Sequence, residues 1–321
     1  MLKLDIRTMG ISFRKFPFFL LVDNDNPLIY NGTMLRIGLV LSGGMAKGAY
    51  QMGALKAIDE FFEDGEIAAL SSASIGVLNA FAFANGIVDE GISLWKNIMN
   101  GQKRIFITSI LKGEYLQESI KKLAEKSKKI ERNFFFTILY ANERELKYVD
   151  FSKESPKDYK KFLQASVALP MTNKAVELNG EKLYDGAMVD NIPVKPLESL
   201  DLDLIICLFF ENSGIIFEHE EFDSKIIKIA FTNDTVVRDS LCFEKERIDK
   251  MLEDGYRITK ENLEFYFSGG KNDIDSVKEK IRVKNAEKTE RHHRITGDFV
   301  VRKFNKIMKH FIKTQQTKNQ L

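Results

Sequence analysis

Cysteine is scarce in this sequence, and its scarcity narrows the classes of protein to consider. The 321 residues include two cysteines, Cys207 and Cys242, which lie far apart and match no metal-binding spacing. The sequence therefore predicts no metal site built on cysteine, and no motif implies a cofactor. So little cysteine also favours a reducing compartment, because disulfide-rich chains belong to oxidising ones.

Excess charge and long apolar runs are lacking as well. Lysine and arginine number 48 and aspartate and glutamate 46, so the net charge is only +2 and does not favour nucleic acid as a partner. No apolar run is as long as a membrane-spanning helix. What is present is an ordinary globular balance, with 44% hydrophobic and 29% charged residues, which supports a sizeable core.

The first 33 residues differ from the rest of the chain. Arg14 and Lys15 precede a short apolar stretch, FPFFLLV, but no small-residue cleavage site follows, and a signal peptide would require one. Met34 opens MLRIGLVLSGG, which would make a natural start for the protein. We therefore expect residues 1–33 to be an N-terminal extension, either disordered or an artefact of start-site choice. Secretion is the alternative.

Apolar segments and glycine turns then alternate in a rhythm typical of a parallel α/β sheet. Strands are predicted over 36–42 and 68–73, and helices over 49–62 and 75–84.

The rest of the chain indicates one α/β domain with helical additions. We predict these further elements: helices over 91–133 and 158–168, a hairpin over 134–151, a second hairpin around Asn179-Gly180, a buried strand over 202–210 and mainly helices from about residue 221. The expected division is an α/β core over 34–210 and a helical C-terminal part over 211–321 that packs on it.

A glycine-rich loop, SGGMAKG at 42–48, follows the first predicted strand. A P-loop needs glycine, lysine and a hydroxyl residue in direct succession, but here Lys47 precedes Gly48 and Ala49 follows. A dinucleotide-binding loop needs glycine where Met45 stands. The spacing therefore argues against both nucleotide sites and leaves bare backbone beside a lysine, which suits a negative charge.

Two further stretches carry residues suited to nucleophilic catalysis. SASIG at 72–76 places Ser74 where a strand turns into a helix, as in a nucleophile elbow, although a serine there is also a common helix N-cap. DGA at 185–187 places Asp185 at the end of a predicted strand, where its carboxylate could face a serine. A simple Asp-Gly turn is the alternative.

Taken in order, these three blocks resemble the bacterial form of the patatin-like phospholipase family. SGGMAKG resembles its glycine-rich oxyanion loop, SASIG its nucleophile elbow and DGAMVDNIPV its catalytic aspartate block, while ASVALP at 165–170 is a softer likeness. The blocks lie within residues 36–196. The resemblance implies a three-layer α/β/α fold with a central, mainly parallel sheet and helical C-terminal additions.

The resemblance also implies a serine lipid acyl hydrolase similar to phospholipase A, with a lipid or phospholipid substrate. Ser74 would attack the ester carbonyl and Asp185 would take its proton directly, as a catalytic dyad. Backbone amides of Gly43, Gly44 and Met45 would form the oxyanion hole. The other motif residues that support these blocks are Lys47, Gly48, Gly76 and Gly186.

Two departures from the family pattern leave other functions open. The family commonly has glycine where Met45 and Ser72 stand, so a catalytically inactive protein that binds lipid or a partner is the second hypothesis. A third is an esterase or thioesterase that acts on soluble acyl esters. All four histidines follow the aspartate block, which favours a dyad, and a triad completed by His219 is the alternative.

The C-terminal sequence predicts a membrane contact. Residues 298–313 combine one apolar helical face with lysine and arginine elsewhere, which suits an anionic membrane surface; a helix packed on the domain is the alternative. Residues 101–133 are either a cover over the site or ordinary surface helices. We expect a cytoplasmic protein, peripheral to the inner face of the membrane if 298–313 binds there.

Overall fold

The computed structural model describes most of the chain between Met34 and Thr289. The described residues are 34–63, 65–97, 114–170, 173–210, 223–231 and 244–289. The extension predicted over 1–33, part of the cover predicted over 101–133, the amphipathic helix predicted over 298–313 and all four histidines lie outside them. None of the helices within these ranges is long and apolar enough to cross a membrane.

The described residues form strands and helices in alternation. The strands are β1 (Ile37–Leu41), β2 (Ile67–Ser72), β3 (Asn133–Tyr140), β4 (Glu145–Asp150), β5 (Val176–Leu178), β6 (Glu181–Asp185), β7 (Leu204–Phe210) and β8 (Ile226–Phe231). The α-helices are α1 (Gly48–Phe61), α2 (Ile75–Ala84), α3 (Val88–Lys96), α4 (Glu114–Lys126), α5 (Tyr159–Ser166), α6 (Lys245–Tyr266) and α7 (Ile274–Thr289).

All eight strands belong to one sheet in the order β5-β6-β3-β2-β1-β7-β8, with β4 also paired to β3. The central pairs β3-β2, β2-β1, β1-β7 and β7-β8 are parallel, and the pairs that involve β4, β5 and β6 are antiparallel. This mainly parallel sheet with flanking helices confirms the predicted fold class.

Side chains alternate across the sheet and fill a core on each face. Leu39 and Leu41 of β1 belong to the larger cluster, between the sheet and the α-helices, whereas Val40 belongs to the smaller cluster on the other face. Leu197 and Leu202, from the segment between β6 and β7, cover that second face. Because successive residues of a strand point to opposite faces, the uninterrupted apolar sequence of β1 indicates burial on both sides, as observed.

The register of β3 brings the two predicted catalytic blocks together. β4 pairs along most of β3 and occupies one of its edges. The other edge is shared, because Ser72 at the end of β2 pairs with Phe136, and Asp185 at the end of β6 pairs with Ile138. Since β2 is parallel and β6 antiparallel to β3, their carboxyl ends approach each other head-on. The two ends are separated by about two residues of β3, or roughly 7 Å.

Two predicted elements differ in the structure. The sequence IIKIAF was included in a mainly helical region, but it forms strand β8, because its alternate apolar residues enter both core clusters and its backbone pairs with β7. The helices predicted over 91–133 end at Lys126. There the amide of Lys128 donates a hydrogen bond to the side-chain oxygen of Asn85 at 2.8 Å, and the chain turns back toward β3.

Helix α6 crosses α1 at very close range through two glycines. A Cβ on Gly53 would lie 1.9 Å from the carbonyl oxygen of Leu252, and a Cβ on Gly255 would lie 2.0 Å from the carbonyl oxygen of Tyr50. Only glycine allows the two backbones to touch in this way. Helix α6 therefore packs directly on the helix that follows the glycine-rich loop. The predicted division of the chain at residue 210 stays a prediction.

Candidate active site

The glycine-rich loop passes from the end of β1 into α1. Gly43 lies beside the predicted nucleophile: a Cβ there would lie 2.8 Å from the Cβ of Ser74 and 2.5 Å from the side-chain oxygen of Asn191. A Cβ on Gly44 would lie 2.2 Å from the ring of Phe210. Side chains are thus excluded at both glycines, and this exclusion lets the bare backbone approach Ser74.

The amides of this loop are not equivalent. The N–H of Gly43 donates to the backbone oxygen of Asn191 at 3.2 Å, while the side-chain amide of Asn191 donates to the carbonyl oxygen of Gly43 at 3.3 Å. This differs from the expectation that three amides are free for an oxyanion. The amides of Gly44 and Met45 have no hydrogen bond within the described part of the chain. They remain the two available donors.

Met45 stands where the family pattern commonly has a third glycine, and its backbone conformation there is strained. Its φ is +54°, in the left-handed region that glycine adopts freely and that costs another residue about 1–2 kcal/mol. The side chain is partly exposed and lines the cavity described below. The loop therefore keeps the glycine-like conformation although the glycine is absent.

A buried lysine, Lys47, supports the loop. Its side chain is buried, and its ammonium nitrogen lies 4.7 Å from the centroid of the Phe210 ring, in a cation–π contact. The same ring packs against Gly44. This contact agrees with a role in shaping the loop.

Ser74 sits at a strained turn between β2 and α2. Its φ of +53° and ψ of −131° are unusual for a residue with a side chain, as in a nucleophile elbow. Gly76 makes the turn tight, because a Cβ there would lie 2.8 Å from the carbonyl oxygen of Ser42. Ser72, which replaces the first glycine of the family pattern, is the fully buried last residue of β2 and fits without positive φ.

Asp185 is the last residue of β6 and is fully buried. One carboxylate oxygen, Oδ1, accepts the amide of Ala187 at 2.8 Å, and Oδ2 has no protein donor of ideal geometry among the described residues. Burial raises the pKa of the Asp185 carboxyl to about 7; the nearby Ser74 hydroxyl and the Ala187 amide, as hydrogen-bond donors, pull this pKa back down only in part. Gly186 follows, packed against the backbone of Thr137.

A buried polar network that sequence analysis did not identify lies behind the loop. The indole N–H of Trp95 donates to the side-chain oxygen of Asn79 at 2.9 Å, and the Asn79 amide donates to the carbonyl oxygen of Gly48 and to Gln51. Gln51 in turn donates to the carbonyl oxygen of Ser42 at 2.7 Å. The network therefore fixes both ends of the glycine-rich loop.

One feature of the sequence could have indicated two of these missed residues. Asn79 is the one polar residue of α2 and Gln51 lies in the apolar first half of α1, and a buried amide requires a partner. Asn191 belongs to the aspartate block quoted above, but nothing in the local sequence shows that it holds Gly43.

A cavity of about 300 Å³ opens beside these residues. At one end its lining consists of the residues of the three blocks: Ser74, Asp185, Gly43, Gly44, Met45 and Lys47. Apolar side chains of α2, α3 and α4 form most of the remaining wall. The three blocks, distant in sequence, thus face a single largely apolar space, while Gly48, Gly76 and Gly186 pack around it.

Comparison with known proteins gives a family match and low structural likenesses. A family model described as patatin-like phospholipase matches residues 39–198. VipD from Legionella pneumophila is 14% identical with a TM-score of 0.42, over 73% of this chain and 67% of VipD. ExoU of Pseudomonas aeruginosa, in complex with SpcU, is 14% identical with a TM-score of 0.39, over 72% of this chain and 53% of ExoU. No curated protein matches the sequence.

This chain spans only about half the length of ExoU. The family match covers the glycine-rich loop, the strained serine and the buried aspartate together. Because residues 39–198 match its family model, this chain belongs to the patatin-like phospholipase family.

Proposed function

We propose that this chain is a serine lipid acyl hydrolase of the phospholipase A type, which cleaves carboxylic esters of lipids through a Ser74–Asp185 dyad. The observation that carries the proposal is that both residues and the glycine-rich loop line one end of a single apolar cavity. An apolar cavity beside a nucleophile favours an acyl chain over a polar substrate. Membership of the patatin-like phospholipase family also supports hydrolysis of a lipid ester.

In the first step, Ser74 Oγ forms a bond to the ester carbonyl carbon and its proton passes to Asp185. An aspartate with the ordinary pKa of about 3.9 is a weak base at neutral pH. Burial raises the pKa of Asp185 to about 7, close to the value that suits a general base. Because Oδ1 is held by the amide of Ala187, Oδ2 is the oxygen that takes the proton.

The negative charge that develops on the carbonyl oxygen requires donors already in place. In this proposal the amides of Gly44 and Met45 supply them, at the N-terminal, positive end of α1. The amide of Gly43 donates to Asn191, so it does not serve the oxyanion. Gly43 has no side chain, and this leaves room beside Ser74. Loss of one such donor typically lowers turnover by about 10²–10³-fold.

The intermediate collapses when the bond to the lipid alcohol breaks and that alcohol takes the proton from Asp185. A water molecule then attacks the acyl-Ser74 ester and Asp185 takes one of its protons. Collapse of this second intermediate releases the fatty acid, and the proton returns to Ser74. Protons and bonds balance over the cycle with no cofactor.

Labelling with a fluorophosphonate probe tests the proposal directly. We expect the wild-type protein to form a covalent adduct that mass spectrometry locates on Ser74. Ser74→Ala should not be labelled and Asp185→Asn should be labelled much more slowly, because the hydroxyl then lacks its base. Ser72→Ala, which alters a buried serine two residues away, is the matched control and should be labelled at the wild-type rate.

The outcomes separate the competing functions. A folded wild-type protein that resists the probe and releases no fatty acid would favour an inactive lipid-binding protein, with the strained Met45 as the suspected cause. Labelling with activity on soluble esters but none on phospholipid vesicles would favour an esterase or thioesterase. Labelling of Ser74→Ala at the wild-type rate would refute the dyad.

A further inference from the structure

We propose that the cavity beside Ser74 takes one acyl chain of medium length, roughly eight to ten carbons, and that Met52, Ala82 and Gly91 set that limit. This inference rests on the proposed function, since it identifies the substrate class of the same site. The shape of the cavity, the closure of its far end and the chemistry of its wall support it.

Helix α2 gives the length of the cavity. Ser74, Leu78 and Ala82 all line it and are spaced by four residues, so they lie along one face of the helix. A rise of 1.5 Å per residue places Ala82 about 12 Å along the axis from Ser74. An acyl ester held at Ser74 can therefore lie alongside α2.

The far end is closed by three residues from three helices. Gly91 of α3 faces Met52 of α1 and Ala82 of α2: a Cβ on Gly91 would lie 2.6 Å from the Met52 methyl carbon and 3.3 Å from the Ala82 Cβ. Met52 and Ala82 are both essentially inaccessible to solvent, at 1% and 0% exposure. The cavity therefore ends at these side chains and does not continue to the surface there.

The distance along α2 gives the length of the acyl chain. An extended chain with carbon–carbon bonds of about 1.5 Å advances roughly 1.25 Å per carbon, so about 12 Å accommodates roughly nine or ten carbons. A cavity of about 300 Å³ lies at the small end of the range for ligand pockets, which agrees with a single acyl chain.

The wall selects an apolar chain. Leu78, Leu94, Leu116 and Leu123 line the cavity. The hydroxyl of Tyr115, which also lines it, donates to the carbonyl oxygen of Leu94 at 2.5 Å, so it does not require a polar group on the substrate. Each methylene that enters such a wall strengthens binding.

A series of p-nitrophenyl esters from acetate to palmitate tests the limit. We expect kcat/KM to rise by up to about fourfold per added methylene and to stop rising near ten carbons. Ala82→Leu adds three carbon atoms to the closed end, so the optimum should move to chains about two or three carbons shorter. Met52→Ala should move it to longer chains. Ala84→Leu, on the same helix but outside the cavity lining, is the matched control and should leave the optimum unchanged.

Binding of free fatty acids to the Ser74→Ala variant, measured by calorimetry, tests the cavity without catalysis. Affinity should peak at the same chain length and shift in the same directions with Ala82→Leu and Met52→Ala. A profile that continues to rise to palmitate, or one that neither substitution moves, would overturn the inference even in an active enzyme. Absence of hydrolysis and labelling together with a binding peak near ten carbons would instead refute the proposed function and leave the chain-length limit standing.

Discussion

Replacing Asp185 by asparagine is expected to abolish hydrolysis and yet to make the protein more stable above neutral pH. The two effects share one cause, the burial of a carboxylate that must be charged to act as a base. Activity requires the deprotonated form, so kcat/KM of the wild-type protein should rise tenfold per pH unit below pH 7 and level off above it. At pH 5 about 1% of the maximum should remain.

The effect on stability follows from the same pKa. Burial raises the pKa of Asp185 to about 7 in the folded protein, whereas in the unfolded chain it is about 3.9. Between these two values the folded state binds more protons than the unfolded state, so the free energy of unfolding falls as pH rises. The pKa difference of about 3, at 1.36 kcal/mol per pKa unit, lowers the free energy of unfolding by about 4 kcal/mol. This destabilisation is absent below pH 4 and complete above pH 7.

Asparagine has a similar shape and carries no charge to desolvate. The Asp185→Asn variant should therefore unfold at a temperature on the order of 8 °C higher than the wild-type protein at pH 8, and at nearly the same temperature at pH 4. Thermal unfolding followed by circular dichroism at both pH values measures this. Asp150→Asn is the control, because Asp150 is also buried but accepts hydrogen bonds from the amides of Phe134 and Ser152. That substitution should lower stability.

Equal or lower stability of Asp185→Asn at pH 8 would refute this account of the carboxylate. A wild-type pH profile that is flat between pH 5 and pH 8 would likewise refute the raised pKa of Asp185, whereas hydrolysis by Asp185→Asn at the wild-type rate would refute its assignment as the base. The electrostatic argument and the mechanistic argument can therefore fail separately.

Two further substitutions test the backbone of the site. Met45→Gly replaces a side-chain-bearing residue at positive φ by glycine, for which the left-handed conformation costs nothing. The substitution should raise the free energy of unfolding by up to about 1 kcal/mol without lowering kcat. A lower melting temperature would show that Met45 is not strained. Gly255→Ala places a Cβ 2.0 Å from the Tyr50 carbonyl oxygen and should lower the free energy of unfolding by about 2 kcal/mol or more, whereas Lys250→Ala on the exposed face of the same helix should change it by under about 0.5 kcal/mol. Urea unfolding of both variants decides this, and equal stabilities would show that α1 and α6 can separate at little cost.

The sequence was sufficient to predict the central sheet and the residues that meet at its edge. Strand β1 is a continuous apolar segment followed by Ser42 and Gly43, and β2 is an apolar segment that ends in two serines. Both the period of such a pattern and the turn chemistry are local properties. The three blocks predicted the loop, Ser74 and Asp185 as one site, and the shared cavity agrees with that prediction. Their individual catalytic roles stay proposals.

What the sequence did not predict depends on contacts between distant residues. The amide of Gly43 is taken up by Asn191, and no rule of spacing connects two residues so far apart in the chain. The apolar surroundings of Asn79 and Gln51 hint at burial, but their partners lie on other segments: the Trp95 indole and the Gly48 carbonyl for Asn79, and the Ser42 carbonyl for Gln51. Strand β8 was missed because its six residues are also compatible with a helix, and only pairing with β7 decides between them.

The touching glycines of α1 and α6 bear on how a shorter recombinant protein should be made. A truncation after residue 210, the predicted boundary of the core, would leave the groove along α1 at Gly53 facing water and strand β7 without its neighbour β8. An unpaired strand edge next to bare apolar surface promotes aggregation. A fragment intended for crystallisation or screening should therefore extend at least to Tyr266, the end of α6.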